Sequence, residues 1–288
     1  MKAFPLFDLS MWKRFAKNRS AIVGLVVISL FVVLALLPGI LAPHRPDHLY
    51  PGQLRLNPFW GLGGSFEFPL GTDDVGRDLF SRLIYGARVS LGVGFFVVLI
   101  STFLGTILGL LAGYFSGFID RMIMRLVDII MALPSILLAI VVVSILGPGL
   151  NNAVIAVSIV AIPNFIRIVR ASVIAEKSKD YVGAAQSLGA GHFRILVLNI
   201  FPNCLAPLIV QATLAFSDGI LNTAALGFLG LGAQPPTAEW GTMLADARPF
   251  IESSPWLVTF PGICILLVVL GFNLMGDGLR DALDPKLR

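Results

Sequence analysis

Charge is scarce in this chain. Only 13% of its 288 residues are Asp, Glu, Lys or Arg, while 56% are hydrophobic. A soluble domain carries about twice that share of charge. So little polar surface cannot cover a globule of this size. That excludes a soluble enzyme, a secreted disulfide scaffold and a disordered chain. Histidine and cysteine are nearly missing, with three and two residues. Cys204 and Cys264 stand in apolar surroundings with no CxxC spacing, which favours small packing residues over a metal or redox site. His44 and His48 are four residues apart beside Asp47. Pro43 and Pro46 oppose the helix that would turn them to one side, so solvated loop histidines are expected and a metal site is not. No G-x-x-x-x-G-K-[ST] segment occurs, so no P-loop cradle for nucleotide phosphates is expected. The formal net charge is +4. Without basic runs or a basic patch interleaved with aromatics, nucleic acid is not an expected partner.

What the chain has is long apolar sequence. A spanning helix needs about 20 mostly apolar residues, since 1.5 Å per residue must cover about 30 Å. Uncharged runs cover 20–43, 89–119, 129–166 and 253–276, and a fifth, 195–238, is interrupted only by Asp218. The 129–166 run is too long for one crossing, and Gly147-Pro148-Gly149 with Asn151-Asn152 splits it into a hairpin. Within 195–238 one crossing is expected, over 204–230. The fold class is therefore an all-α polytopic membrane protein with six transmembrane helices. The apolar core of the first run exceeds the length of a signal-peptide core and no A-x-A site closes it, so a retained anchor is expected. With both termini inside, fifteen Lys/Arg fall on internal segments and six on external ones, as the positive-inside rule asks. The chain then divides into an internal tail and first helix (1–43), an external segment (44–88), a five-helix core (89–276) and an internal tail (277–288). The core carries an internal loop at 171–202 and an external loop at 231–255.

Gly105, Gly109, Gly113 and Gly117 recur at spacing four. Such a bare ridge lets helix backbones approach closely in lipid. It serves either as a packing face or as a surface that slides during a conformational cycle. Gln211, Asp218 and Asn222 fall within about 40° of one helical stripe. An ionised Asp near mid-membrane costs about 2.5–3.5 kcal/mol, so it faces protein or water and not lipid. The stripe either lines a polar pathway or meets a partner on another helix.

The longest internal loop, 167–199, reads as short helices. Tyr181, Ala184, Ala185 and Leu188 share one helical face made shallow by the two alanines, a shape suited to another protein's groove. A charge at Ala185 is expected to disturb such docking. Gly189 and Gly191 can end the helix, and Pro202 marks the start of the next span. A connector lying on the membrane surface is the competing reading. The spacing Ala184-Ala185, Gly189 and Pro202 resembles the EAA loop of ABC importer permeases. The chain departs from that pattern with Gly183 where Glu is usual, Asn199 where Ile is usual and Phe201 before Pro202. No salt bridge from position 183 is therefore implied. The segment GTDDVGRD (71–78), with Ser81-Arg82, Tyr85-Gly86-Ala87-Arg88 and Ser90-Leu91, is similar to the stretch before the second helix of peptide-type permeases. FLGLGAQPPTAEWGTML (228–244) and GDGLRDALDPK (276–286) extend the resemblance over nearly the whole chain.

The resemblance is to C-type permease subunits of bacterial dipeptide importers, with nickel, glutathione and oligopeptide systems as relatives. It implies the type I ABC importer permease fold and a multi-pass protein of the bacterial inner membrane. It implies that Asp180, Tyr181, Gly183, Ala184, Ala185, Leu188, Gly189 and Pro202 belong to a coupling helix and its flanks, seated in an ATPase. The implied partners are two ATPase subunits that bind ATP and Mg²⁺, a second homologous permease subunit, a periplasmic substrate-binding protein and the lipid bilayer. No cofactor or metal is expected in this chain, and no catalysis. Gln211, Asp218 and Asn222 then become candidates for the pathway wall. The charge-alternating 71–90 segment and the 233–255 loop with Trp240 serve either local structure or contact with the binding protein. Cargo alternatives are oligopeptides, glutathione, nickel chelates or haem-like compounds. A membrane-embedded enzyme would need paired catalytic groups at membrane depth, and Asp218 stands alone there. A gradient-driven transporter would usually need internal repeats, and none is visible.

Overall fold

A computed structural model describes residues 9–283. Among these residues there are twelve α-helices and no strand. The first are a short amphipathic helix α1 (Leu9–Lys17), the apolar α2 (Arg19–Leu36) and a single turn α3 (Pro38–Leu41). Asn18 caps α2 by accepting from the Ala21 amide at 3.2 Å. After a long non-helical segment come α4 (Leu79–Phe115), α5 (Gly117–Met131), α6 (Ser135–Leu146) and α7 (Leu150–Lys177). The chain closes with α8 (Asp180–Ser187), α9 (His192–Arg194), α10 (Phe201–Phe228), α11 (Trp240–Ala247) and α12 (Trp256–Leu283).

Five units are long and apolar enough to cross a membrane: α2, α4, α7, the stretch from α9 through α10, and α12. Helices α5 and α6 pass the same test only together, bent by 94° at their break. Pro134 lies in that break, where its missing N–H and its steric demand on the preceding residue stop a helix. The sixth expected crossing is complete only if this bent pair counts as one span.

Helix boundaries differ from the apolar runs wherever a span continues past the lipid-like stretch. The second span starts ten residues earlier than its uncharged run, because Asp78 caps α4 by accepting from the Ser81 amide at 3.0 Å. It also ends earlier, at Phe115. Ser116 and Gly117 both have positive φ, 56° and 62°, a conformation that cannot propagate a right-handed helix. Gly117 therefore opens α5, and the glycine ridge on α4 has three members in place of four. The region after 166, expected to be loop, continues as α7 to Lys177. The final span runs on to Leu283, so most of the expected C-terminal tail is helix.

Packing follows the small residues. On α4, a Cβ at Gly109 would stand 2.7 Å from Val169 Cβ, and one at Gly113 2.7 Å from Val173 Cβ. Gly105 abuts Phe165 in the same way. The ridge thus seats α7 of the same chain. Helix α10 lies centrally, against α4, α7 and α12, and α2 packs along α12. Met11 and Phe15 of α1 bury against Ala21, Ala282 and Leu283. Helix α8 and the C-terminal end of α4 meet through Tyr114, Val173 and Val182. Consequently α1, α8 and the end of α12 share one end of the bundle, and α11 with the 42–78 segment occupies the other.

Candidate functional site

Two regions carry chemistry: a polar groove on the bundle and the short helix α8 at one end. The groove is a cavity of about 230 Å³ whose lining includes Gln211, Asp218 and Asn222 of α10. The structure therefore brings the three stripe residues together. Their spacing of seven and four, about two turns and one, puts them on one face. Across the cavity stand Asn164 of α7 and Ser135 at the start of α6. Sequence reasoning missed both. The signal was two polar residues beside Pro163 and Pro134 in a run judged only for its length. Asn222 Nδ2 donates to the main-chain oxygen of Asp218 at 2.8 Å. Among the described residues the Asp218 carboxylate has no ion-pair partner, whereas Asp120 and Asp128 of α5 are paired with Arg170 and Arg167 of α7 at 2.5 and 2.8 Å.

Helix α8 is short because its C-terminus is built to stop. Leu188 is the C-cap, and Gly189 adopts φ +78°. The Ala190 amide donates to Ala185 O at 3.0 Å and the Gly189 amide to Gln186 O at 2.9 Å. This pair of bonds is the Schellman arrangement, which favours glycine at its left-handed position. Of the face expected from sequence, Tyr181, Ala184 and Leu188 are exposed and only Ala185 turns partly inward. Val182, 1% exposed, packs with Val173, Ile195, Ile200 and Cys204, and Ala185 sits half-buried beside it. Tyr181 is a strut: its hydroxyl donates to Glu176 Oε2 at 2.6 Å and accepts from Asn203 Nδ2 at 3.2 Å. Burial and the Glu176 carboxylate together push its phenol well above the usual range. The exposed residues of α8 are Asp180, Tyr181, Gly183, Ala184, Gln186 and Ser187, extended by Leu188, which is 88% exposed. Asp180 opens the helix in its first turn, where a carboxylate complements the helix dipole.

A π-helical stretch, Ile195–Ile200, leads into α10. The Phe201 amide donates five residues back, to Leu196 O, and Pro202 stands in the first turn of α10, where a missing N–H is tolerated. Asn199 uses its main-chain oxygen here, accepting from Asn203 Nδ2 at 2.8 Å.

At the opposite end the 71–90 segment makes internal contacts. Asp73 accepts from Arg77 Nε at 2.5 Å and lies 3.4 Å from Arg82 Nε. Arg77 also stands 4.0 Å from Asp74 and from Asp246 of α11. Burial pushes the Asp74 and Asp246 carboxyls up, and Asp73 adds to both. Glu239 is buried and caps α11, accepting from the Gly241 and Thr242 amides at 2.8 and 2.9 Å and from Ser90 Oγ at 3.3 Å. Trp240 is fully buried, edge-on to Phe31, with its indole N–H on Leu83 O at 3.1 Å. It is therefore not available as a contact surface. His44 lies 3.3 Å from Asp78 and stacks on Phe68, and His48 packs edge-on to Tyr50.

These features define a multi-pass, all-helical membrane protein with a polar groove. Its fold is that of a type I ABC importer permease. A chain of the inward-facing MetNI methionine ABC transporter superposes with a TM-score of 0.58, covering 70% of this chain and 96% of that one at 19% identity. The family model "Binding-protein-dependent transport system inner membrane component" matches residues 105–288, and "N-terminal TM domain of oligopeptide transport permease C" matches 9–58. The chain is 58% identical to the dipeptide transport system permease protein DppC of Escherichia coli K12, covering 96% of this chain and 92% of that protein. It is 55% identical to the di/tripeptide transport system permease protein DppC of Pseudomonas aeruginosa, covering 96% and 91%. The glutathione transport system permease protein GsiD of Escherichia coli O1:K1 is 43% identical, covering 96% and 90%. The chain belongs to the family of binding-protein-dependent transport system inner membrane components.

Proposed function

We propose that this chain is the C-type permease subunit of an ATP-driven importer of dipeptides in a bacterial inner membrane, with α8 facing the cytoplasm. The observation that carries the cargo is likeness to dipeptide permeases along 96% of the chain. Two ATPase subunits hold ATP and Mg²⁺, a second homologous permease subunit completes the pathway, and a periplasmic binding protein delivers the peptide. This chain hydrolyses nothing. Gln211, Asp218 and Asn222 form its side of the pathway wall.

Coupling rests on α8. The small residues Gly183, Ala184 and Ser187 on its exposed side, with Leu188, suit a cleft of an ATPase subunit, and Val182 fixes the helix to the bundle. Closure of the ATPases then moves α8 and tilts the helices packed on it. Such a shift requires contacts that differ between the two states. The test is uptake of labelled dialanine by the reconstituted importer. Uptake that needs ATP, stops with orthovanadate and ignores ionophores supports the proposal. Uptake that collapses with ionophores and persists with orthovanadate refutes it.

A further inference from the structure

A pathway wall needs polarity, but it does not need a bare charge. Asp218 is the only ionisable side chain lining the groove, and its polar companions there are the neutral groups of Gln211, Asn222, Asn164 and Ser135. Among the described residues it makes no ion pair and its carboxylate oxygens accept no hydrogen bond, the Asn222 amide going to its main-chain oxygen. The carboxylates of α5 show the usual remedy, an arginine on α7 for each. An unpaired carboxylate at membrane depth is expensive and marks a water-filled cavity or a ligand. A divalent cation would need several oxygen ligands with more negative charge, and no cluster of three acidic, His or Cys side chains occurs among the described residues. One carboxylate beside several amides suits a monovalent organic cation that carries N–H donors.

We infer that Asp218 binds a primary ammonium group, the protonated N-terminus of a short peptide, while the side-chain amides meet its peptide N–H and C=O. This inference rests on the groove being the pathway wall. It assigns Asp218 a role in cargo selection inside the membrane, separate from selection by a soluble binding protein. A cation supplied by a second permease subunit is the competing use of the same charge.

The importer is reconstituted with its partner subunits, with Cys204→Ser and Cys264→Ser as background and Asn222→Cys as reporter. Cationic and anionic methanethiosulfonates are compared at the introduced thiol. A free carboxylate one turn away is expected to favour the cationic reagent by on the order of ten-fold, and Asp218→Asn is expected to abolish that preference. With Asn222 left intact, uptake of dialanine is expected to fall at least about ten-fold in Asp218→Asn and to recover in part in Asp218→Glu, with the four subunits still copurifying. No charge preference at the thiol, wild-type uptake by Asp218→Asn, or loss of the second permease subunit from the Asp218→Asn complex each overturns the inference while leaving the groove a pathway. A thiol that neither reagent reaches during turnover overturns the pathway reading itself.

Discussion

Replacing Gly109 by alanine tests whether the glycine ridge of α4 is a clamp. The added methyl would stand 2.7 Å from Val169 Cβ, 2.9 Å from Ile166 O and 3.0 Å from Val169 Cγ1. Carbon atoms rest at about 3.5–4.0 Å, so α4 and α7 must separate by roughly 1 Å. Valine cannot rotate its Cβ out of the way, because the contact is with the branch point itself. Overpacking of this kind costs about 1–3 kcal/mol. For a chain of this length each kcal/mol lowers the melting temperature by about 2–4 °C. Gly262 of α12 is the control, since a Cβ there meets nothing within 4 Å. At such a site Gly→Ala usually stabilises a helix by about 0.5–1 kcal/mol. Thermal unfolding of the purified chain in one detergent at one scan rate reads the difference. Gly109→Ala should melt several degrees below wild type, and Gly262→Ala at or above it. Equal melting of the two variants would refute the claim that α4 and α7 touch backbone to side chain along this line.

Leu188→Asp, at an 88% exposed position, should leave the melting temperature unchanged and lower dialanine uptake at least about ten-fold, the loss of one buried leucine contact with the ATPase. Wild-type uptake at wild-type chain level defeats that expectation. Asp120→Asn should cost about 1–2 kcal/mol, since Arg170 then loses a two-bond carboxylate partner at a partly exposed site. An unchanged melting temperature would count against a tie between α5 and α7. Burial pushes the Glu239 carboxyl above its ordinary value of 4.5, against three hydrogen bonds that lower it. The folded chain therefore binds this proton more tightly than the unfolded one. The resulting stability is complete below pH 4.5 and fades as pH rises through the raised value. Relative to Glu239→Gln, wild type should gain melting temperature as pH falls through the raised value toward 4.5. A difference that stays constant with pH would contradict the shift.

The sequence makes the spans legible because hydropathy reports the solvent, and the bilayer is a solvent with a fixed thickness. It makes the groove legible because three polar residues on one apolar helix leave one possible face. Helix ends are less legible, because a helix does not stop where lipid stops: α7 runs on to Lys177 and α12 to Leu283, beyond uncharged stretches that end at 166 and 276. The break at Ser116 was hidden, since a serine with φ of 56° has no sequence signature comparable to glycine. On α8 the pattern picked out mostly exposed residues and passed over the anchor. Tyr181, Ala184, Ala185 and Leu188 do fall on neighbouring helical positions, but Val182 is the better anchor. A β-branched residue between small ones decides which side turns inward. Tyr181 stays 37% exposed, but its hydroxyl is tied to partners on α7 and α10 that no local pattern could reveal.

The same packing bears on how motion at α8 could reach the groove. Val182 of α8 and Ala215 of α10 belong to one contiguous buried cluster that also holds Phe165, Val169, Val173, Cys204 and Leu208. Ala215 in turn lines the groove. Close-packed interiors transmit displacement because they lack room to absorb it. The glycine ridge points the same way. Gly105, Gly109 and Gly113 meet Phe165, Val169 and Val173, which are the α7 members of that cluster. A surface that slid would need clearance, and this one has none. Helices α4 and α7, with the start of α10 and α8, therefore form one block. Under the proposed coupling the block tilts as a unit about its weaker contacts. A charge at Ala185 would disturb this block from within, so it cannot separate docking from folding. Substitutions at Ala184 and Leu188 act on the outer surface alone and can.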